Sequence, residues 1–185
     1  MFTSKRTTAG LALALVAAAC ATTDGGAPVV TTGPNLGRAA TAQEVAAGDI
    51  SIPPSGAGLP AGSGTAKQGE AVYVAQCLAC HGPKGAGKPA DRLVGGVGSL
   101  ATENPDRTVG SYWPYATTVF DYVRRSMPYQ QPQSLTTDEV YAVTAYLLHL
   151  NGIVAEGDVM NAQTLSQVKM PNRDNFILAY PPRSR

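Results

Sequence analysis

The sequence predicts an all-α domain of three to four short helices wrapped around something bulky and apolar, with extended arms at both ends. Three observations carry this. Helical periodicity of apolar residues holds in three stretches, and no stretch alternates convincingly as a strand. Of 185 residues, 20 are Gly and 14 are Pro, so much of the chain must be loop. A small domain with that much loop builds only a thin core from its own side chains.

The first helix starts near Ala66, where "AKQGEAVYVAQC" sets Val72, Tyr73 and Gln76 at helical spacing and runs into a cysteine pair. The following "HGPKGAGKPADRLVGGVGSL" is dense in Gly and Pro and reads as loop. A second helix, "ATTVFDYVRRS", puts Val119, Phe120 and Val123 on one face and is stopped by Pro128. The strongest helix is "TTDEVYAVTAYLLHLNG". Thr136 and Glu139 form a capping box, Val140, Val143, Leu147 and Leu150 make an apolar stripe, and Asn151-Gly152 supplies the stop. Beyond it, residues 153–185 form a C-terminal tail in which no element is predicted.

The N-terminus reads differently. Residues 1–19 have the form of an export signal: Lys5 and Arg6, an apolar run from Leu11 to Val16, then Ala17, Ala18 and Ala19. That run is shorter than the roughly 20 residues a bilayer span needs. Cys20 follows at once, and the stretch resembles the lipid-bearing cysteine of bacterial lipoproteins, although Ala17 stands where leucine is usual. The plainer reading is cleavage after the alanines, leaving a free thiol. Residues 20–47 are then a lipid-anchored flexible tether of Thr, Ala, Gly and Pro. Residues 48–65 form an extended arm, with Ile50, Ile52 and Leu59 set among turn residues. Localisation follows as the periplasm, at a membrane surface. A net charge of +1 gives no case for a nucleic-acid partner.

The chemistry is concentrated in "QCLACHG", which holds Cys77, Cys80 and His81. In an exported protein the spacing C-x-x-C-H reads as covalent attachment of haem c. On a helical turn both thiols reach one porphyrin edge, and His81 lies beneath the ring as an iron ligand. Zinc would need two further ligands, and only Cys20 and His149 remain. A redox dithiol would want a preceding strand, and a disulfide between Cys77 and Cys80 would close too short a loop to stabilise much. The haem supplies the bulky centre that the thin core lacks.

The sixth ligand separates an electron carrier from a haem enzyme. Met127, in "RRSMPYQQPQSL", sits in a loop stiffened by Pro128 and Pro132, just before the last helix. Met160, Met170 and His149 are the competitors: Met170 reads as a packing residue of the tail and His149 as a solvated surface residue. Methionine opposite histidine raises the reduction potential.

Taken together, Gly69 and Tyr73 before the motif, "CLACHG", "SMP" and Tyr146-Leu147 in a final helix resemble the class I c-type cytochromes. The segments "GDISIPPSGAGLPAGSGTAKQGEAVY", "ADRLVGG", "YWPYATTVFDYVRRSMPYQQPQSLTTDEVYAVTAYLLHLNGIV" and "KMPNRDNF" resemble one branch, the cytochrome c subunits of Sox-type sulfane dehydrogenase and of sulfite dehydrogenases. The resemblance implies a cytochrome c domain over residues 66–152, with first and last helices crossing near Gly69 and Tyr146. It implies His81 and Met127 as axial ligands, and electron transfer from a molybdenum-cofactor dehydrogenase subunit to a soluble cytochrome c or an oxidase. Substrate chemistry would then sit on the partner. In this family a proline carbonyl usually accepts from the proximal histidine; here Leu93 stands at that distance, with Pro89 nearby, and the role stays unassigned. Two other functions stay open: a lipoprotein shuttle for another dehydrogenase or a terminal oxidase, and a haem enzyme or gas sensor with an open iron.

Haem propionates favour Arg and ring N–H donors. Trp113 is the first candidate, for a propionate or for packing on the haem, ahead of Arg92, Arg107, Tyr115, Arg124 and Arg125. Lys84, Lys88 and Arg92 flank the motif and would ring an exposed haem edge or simply be solvated.

Overall fold

The computed structural model describes residues 36–177 and 179–180. The expected export signal, Cys20 and the first part of the tether lie outside the described residues. The chain divides into two compact units, Met1–Thr41 and Ala42–Arg185. Of the first, residues 36–41 are described, all exposed and without helix or strand. The second holds every helix and strand described below. None of these helices is long and apolar enough to cross a membrane.

Helix α1, Ala42–Gly48, lies where the sequence suggested tether. It buries no residue, and its Ala, Gln and Glu are strong helix formers, which explains how it exists without a core. Strand β1, Ser63–Thr65, leads directly into helix α2, Ala66–Gln76. Thr65 and Gln68 close a capping box at that junction. A single turn, α3 (Leu78–His81), follows after Cys77. Helix α4 spans Ala116–Ser126 and helix α5 Thr137–Leu150, the latter opened by the expected Thr136–Glu139 box.

One expectation fails outright. The tail is not featureless, and a sheet exists. Strand β2, Val159–Asn161, pairs antiparallel with β1, matching Ser63 to Asn161 and Thr65 to Val159. A three-residue strand is too short to show alternation, so periodicity gave no signal for either member. The tail also sends Met160, Leu165 and Met170 into the core. Met170 therefore packs, as its sequence context suggested.

Helix α5 is the axle. Its nine residues from Val140 to Leu148 are all buried, so the predicted stripe understates it. A helix covered on every side must be small or apolar all round, and Ala142, Thr144 and Ala145 supply the small positions. Helix α2 crosses it at Gly69, where an added Cβ would overlap the carbonyl of Ala142 and sit 2.8 Å from the Tyr146 Cβ. Gly64 of β1 meets the same Ala142. One turn beyond Gly69, Tyr73 stacks against Tyr146 with ring centroids 5.4 Å apart. On another side, Phe120 of α4 packs on Tyr141 at 4.5 Å.

The arm is laid along this assembly. Ile52 is buried in the core cluster, and Tyr141 Oη donates to the Pro60 carbonyl at 2.9 Å.

Replacing Gly69 with Ala is expected to cost about 3 kcal/mol or abolish folding, because the backbones cannot separate without losing the core. Urea unfolding checks this. Burial raises the phenol pKa of Tyr73, Tyr141 and Tyr146 above 10.0. Their neutral forms are thus favoured in the folded chain, a contribution complete below pH 10 and eroded as pH rises through the folded values. Stability measured against pH should fall above about pH 10, less steeply once Tyr146 is replaced by Phe.

Candidate functional site

The cysteine motif sits on a corner. Cys77 ends α2 and begins α3, its amide bonded to the Tyr73 carbonyl at 2.8 Å. Its own carbonyl takes the amides of Cys80 at 3.1 Å and His81 at 2.9 Å. This tight turn puts both thiols within one helical turn of each other, with Cys77 half-buried and Cys80 exposed. Burial, with Cys80 adding to it, pushes the Cys77 thiol up to about 11.

His81 is oriented from behind. Its Nδ1 lies 2.8 Å from the Asp91 carbonyl. The proton therefore resides on Nδ1, which leaves the Nε2 lone pair to a metal. The acceptor comes two residues before Leu93. Leu93 is unavailable for that role because its carbonyl accepts from Val109 N and Asn151 Nδ2, both at 3.2 Å.

The Asp91 carbonyl is held in place by a short-range web. Ala90 N donates to the Cys80 carbonyl at 2.8 Å, Gly87 N to the His81 carbonyl at 2.7 Å and Leu93 N to the Gly85 carbonyl at 2.9 Å. Tyr73 anchors the web to α2. Its hydroxyl donates to the Gly82 carbonyl at 2.7 Å and accepts from Gly85 N at 3.0 Å. Asn151 anchors it to α5, its Oδ1 accepting from Gly95 N at 3.0 Å and its Nδ2 donating to Leu147 O at 2.8 Å. Sequence reasoning read Asn151 only as a helix stop. An amide side chain one residue past an all-buried helix was the available signal.

Met127 caps the C-terminus of α4, with its amide 3.0 Å from the Val123 carbonyl. It packs against the core yet stays half-buried. Met160 and Met170 are 4% and 3% exposed, locked among core side chains. His149 is half-buried rather than solvated, its Nδ1 3.3 Å from the Val154 carbonyl. Among the three methionines, Met127 is thus the one not locked in the core. Its loop, between α4 and α5, contains no Asp, Glu, Lys, Arg or His.

Trp113 is half-buried, edge-on to Tyr122 at 5.6 Å. The arginines named beside it are committed elsewhere. Arg92 pairs with Asp106 at 2.8 Å, Arg125 with Asp121, and Arg124 donates to the Ile50 carbonyl at 3.1 Å. Arg107 lies over the Tyr112 ring at 5.5 Å, and Tyr115 lies under Arg173 at 5.3 Å. Lys84 and Lys88 are exposed.

The donor set fits a covalently attached porphyrin and does not fit a protein-only metal site. Among the described residues no group of three His, Cys, Asp or Glu is arranged to hold a metal ion. Two thiols and an imidazole with a free Nε2 are on one turn, and Cys77, Leu78, Leu93, Met127 and Leu135 all pack on the core while remaining partly exposed. Such a surface is what a large apolar group would cover.

Comparison with known proteins agrees. Residues 64–147 match the family of cytochrome c oxidase, cbb3-type, subunit III. No curated protein matches significantly. The protein is 43% identical to a chain of the sulfane dehydrogenase SoxCD from Paracoccus pantotrophus, covering 80% of this chain and 72% of that one with a TM-score of 0.72. It belongs to the class I c-type cytochromes. This cytochrome carries covalent haem c and has the all-α fold the sequence predicted, with one small sheet added. Its role is electron transfer.

Removing the Tyr73 hydroxyl with Tyr73→Phe deletes two buried hydrogen bonds and leaves Gly82 O and Gly85 N only their longer bond to each other, at 3.3 Å. A loss of about 1–3 kcal/mol in holoprotein stability is expected, read as a lower urea midpoint at unchanged slope.

Proposed function

We propose that this cytochrome is the electron-accepting subunit of a molybdenum sulfite or sulfane dehydrogenase, and that it works in the periplasm on a lipid anchor at Cys20. The observation that carries the reading is the 43% identity to a sulfane dehydrogenase chain, extending beyond the haem domain to 80% of this chain.

In this reading the thiols of Cys77 and Cys80 would bond the porphyrin, and His81 Nε2 and Met127 Sδ would hold its iron. The haem supplies a one-electron couple when bound. The protein supplies everything that shapes it. His81 is held in one tautomer and orientation by Asp91, which raises its basicity as a ligand. Met127 is presented from a helix end and a proline-flanked loop, so little reorganises when an electron arrives. A thioether opposite imidazole sets a high potential, suited to accepting electrons from a reducing sulfur centre. Electrons would leave to a soluble cytochrome c or an oxidase.

A shuttle serving another dehydrogenase or a terminal oxidase is the second reading, favoured by the match of residues 64–147 to an oxidase subunit family. One preparation separates the two. The native protein is isolated anaerobically from membranes under mild conditions, assayed for molybdenum, and given sulfite or a sulfane donor while the haem bands are recorded. Co-purifying molybdenum and rapid haem reduction are expected, and Cys20→Ser should move the protein to the soluble fraction. A haem that stays oxidised, in a preparation free of molybdenum, would select the shuttle.

A further inference from the structure

The segment before the haem domain makes a set of contacts with the two helices that bound the Met127 loop. That loop has two ends: α4 stops at Ser126 and α5 starts at Thr137. The arm is bonded along the length of α4 and to the first turns of α5.

On α4, the buried carboxylate of Asp121 accepts the Ile52 amide at 2.8 Å. Arg124 Nη1 donates to the Ile50 carbonyl at 3.1 Å, and Thr117 Oγ1 donates to the Pro54 carbonyl at 3.1 Å. Positions 117, 121 and 124 recur every three to four residues, so they share one face of the helix. Arg125, also paired with Asp121, holds that carboxylate from the solvent side.

On α5, Asp138 Oδ1 accepts the Ser63 amide at 2.8 Å, and Tyr141 Oη donates to the Pro60 carbonyl at 2.9 Å. The turn between the two sets is tight. Gly56, at φ +80°, fits between Leu59 and Ser166, where an added Cβ would lie 3.1 Å from each.

We propose that residues 50–63 form a clamp that keeps Met127 on the iron by fixing the separation of the two helices bounding its loop. The inference rests on the reading of Met127 as axial ligand. Detaching Met127 requires the loop to swing, and the loop is short enough that its ends must give. The arm bridges those ends from outside with side-chain bonds to backbone groups, most of them one partner deep and partly shielded from water. Asp121, Arg124 and Tyr141 are therefore positioning residues, acting on the ligand through the helices.

The test uses the ferric holoprotein and imidazole as a competing ligand. Two readouts are followed: the charge-transfer band of iron bound to thioether sulfur, and the imidazole concentration that half-displaces it. Asp121→Ala should keep the band but lower that midpoint about ten-fold, the factor expected when one charge-assisted buried bond is lost. Asp121→Asn, which retains an acceptor for the Ile52 amide, should recover most of the wild-type midpoint. Tyr141→Phe removes a single hydroxyl and should lower the midpoint several-fold, which secures the test if Asp121→Ala does not fold. Thr164→Ala, which loosens the turn after β2 instead, should leave it unchanged. Midpoints that stay at the wild-type value while thermal stability drops, or that fall equally in Thr164→Ala, overturn the clamp. Absence of the thioether band in the wild type overturns the Met127 assignment itself, and the clamp with it.

Discussion

The backbone contact at Ala142 is the constraint on which the rest depends. Gly64 and Gly69 come so close to this one residue of α5 that neither tolerates a side chain. The close approach has a chemical consequence some distance away. It sets how deeply α2 seats on α5, hence where Tyr73 meets Tyr146, hence where the Tyr73 hydroxyl meets the loop after His81. The helix crossing and the tautomer of His81 are therefore two ends of one rigid path. Close-packed interiors transmit such constraints because they have no slack to absorb them.

The two sides of the haem site are held by different means. The histidine side is a web of backbone bonds within residues 77–95, closed by two side chains, Tyr73 and Asn151. Met127, the proposed second ligand, heads a bare loop, and in that proposal its rigidity comes from the helices at the loop's ends and from the arm across them. The first is mostly local, with one anchor on α5. The second borrows its stiffness from residues far away in the sequence.

That difference also decides what could be read from the sequence. The C-x-x-C-H turn, the helix of Ala116–Ser126 and the capped α5 are local patterns, and each forms where its residues predicted. The crossing at Gly69 and Tyr146 was legible only through the family resemblance, because a glycine within a helix does not say what approaches it. The β1–β2 pair was not legible at all, since three-residue strands carry no period and their pairing is decided by α5 beneath them. Asp91 was missed as the histidine's acceptor because a backbone carbonyl leaves no trace in residue type. Asp121 and Arg125 stand one turn apart, a spacing common on any solvated helix face, and nothing near them in sequence announces the Ile52 amide.

The strand pair carries a consequence for the order of assembly. Ser63 and Asn161 are joined across on the order of a hundred residues, and a closure of that span costs more chain entropy than the local turns do. The web around Cys77, Cys80 and His81 is built mostly within residues 73–95, with Asn151 reaching it from α5 and no residue of the tail taking part. The turn that presents the thiols can thus exist while the tail has not yet come home. Porphyrin bonding would meet an open, half-built molecule, and the returning tail, with Met160 and Leu165, would seal the result afterwards.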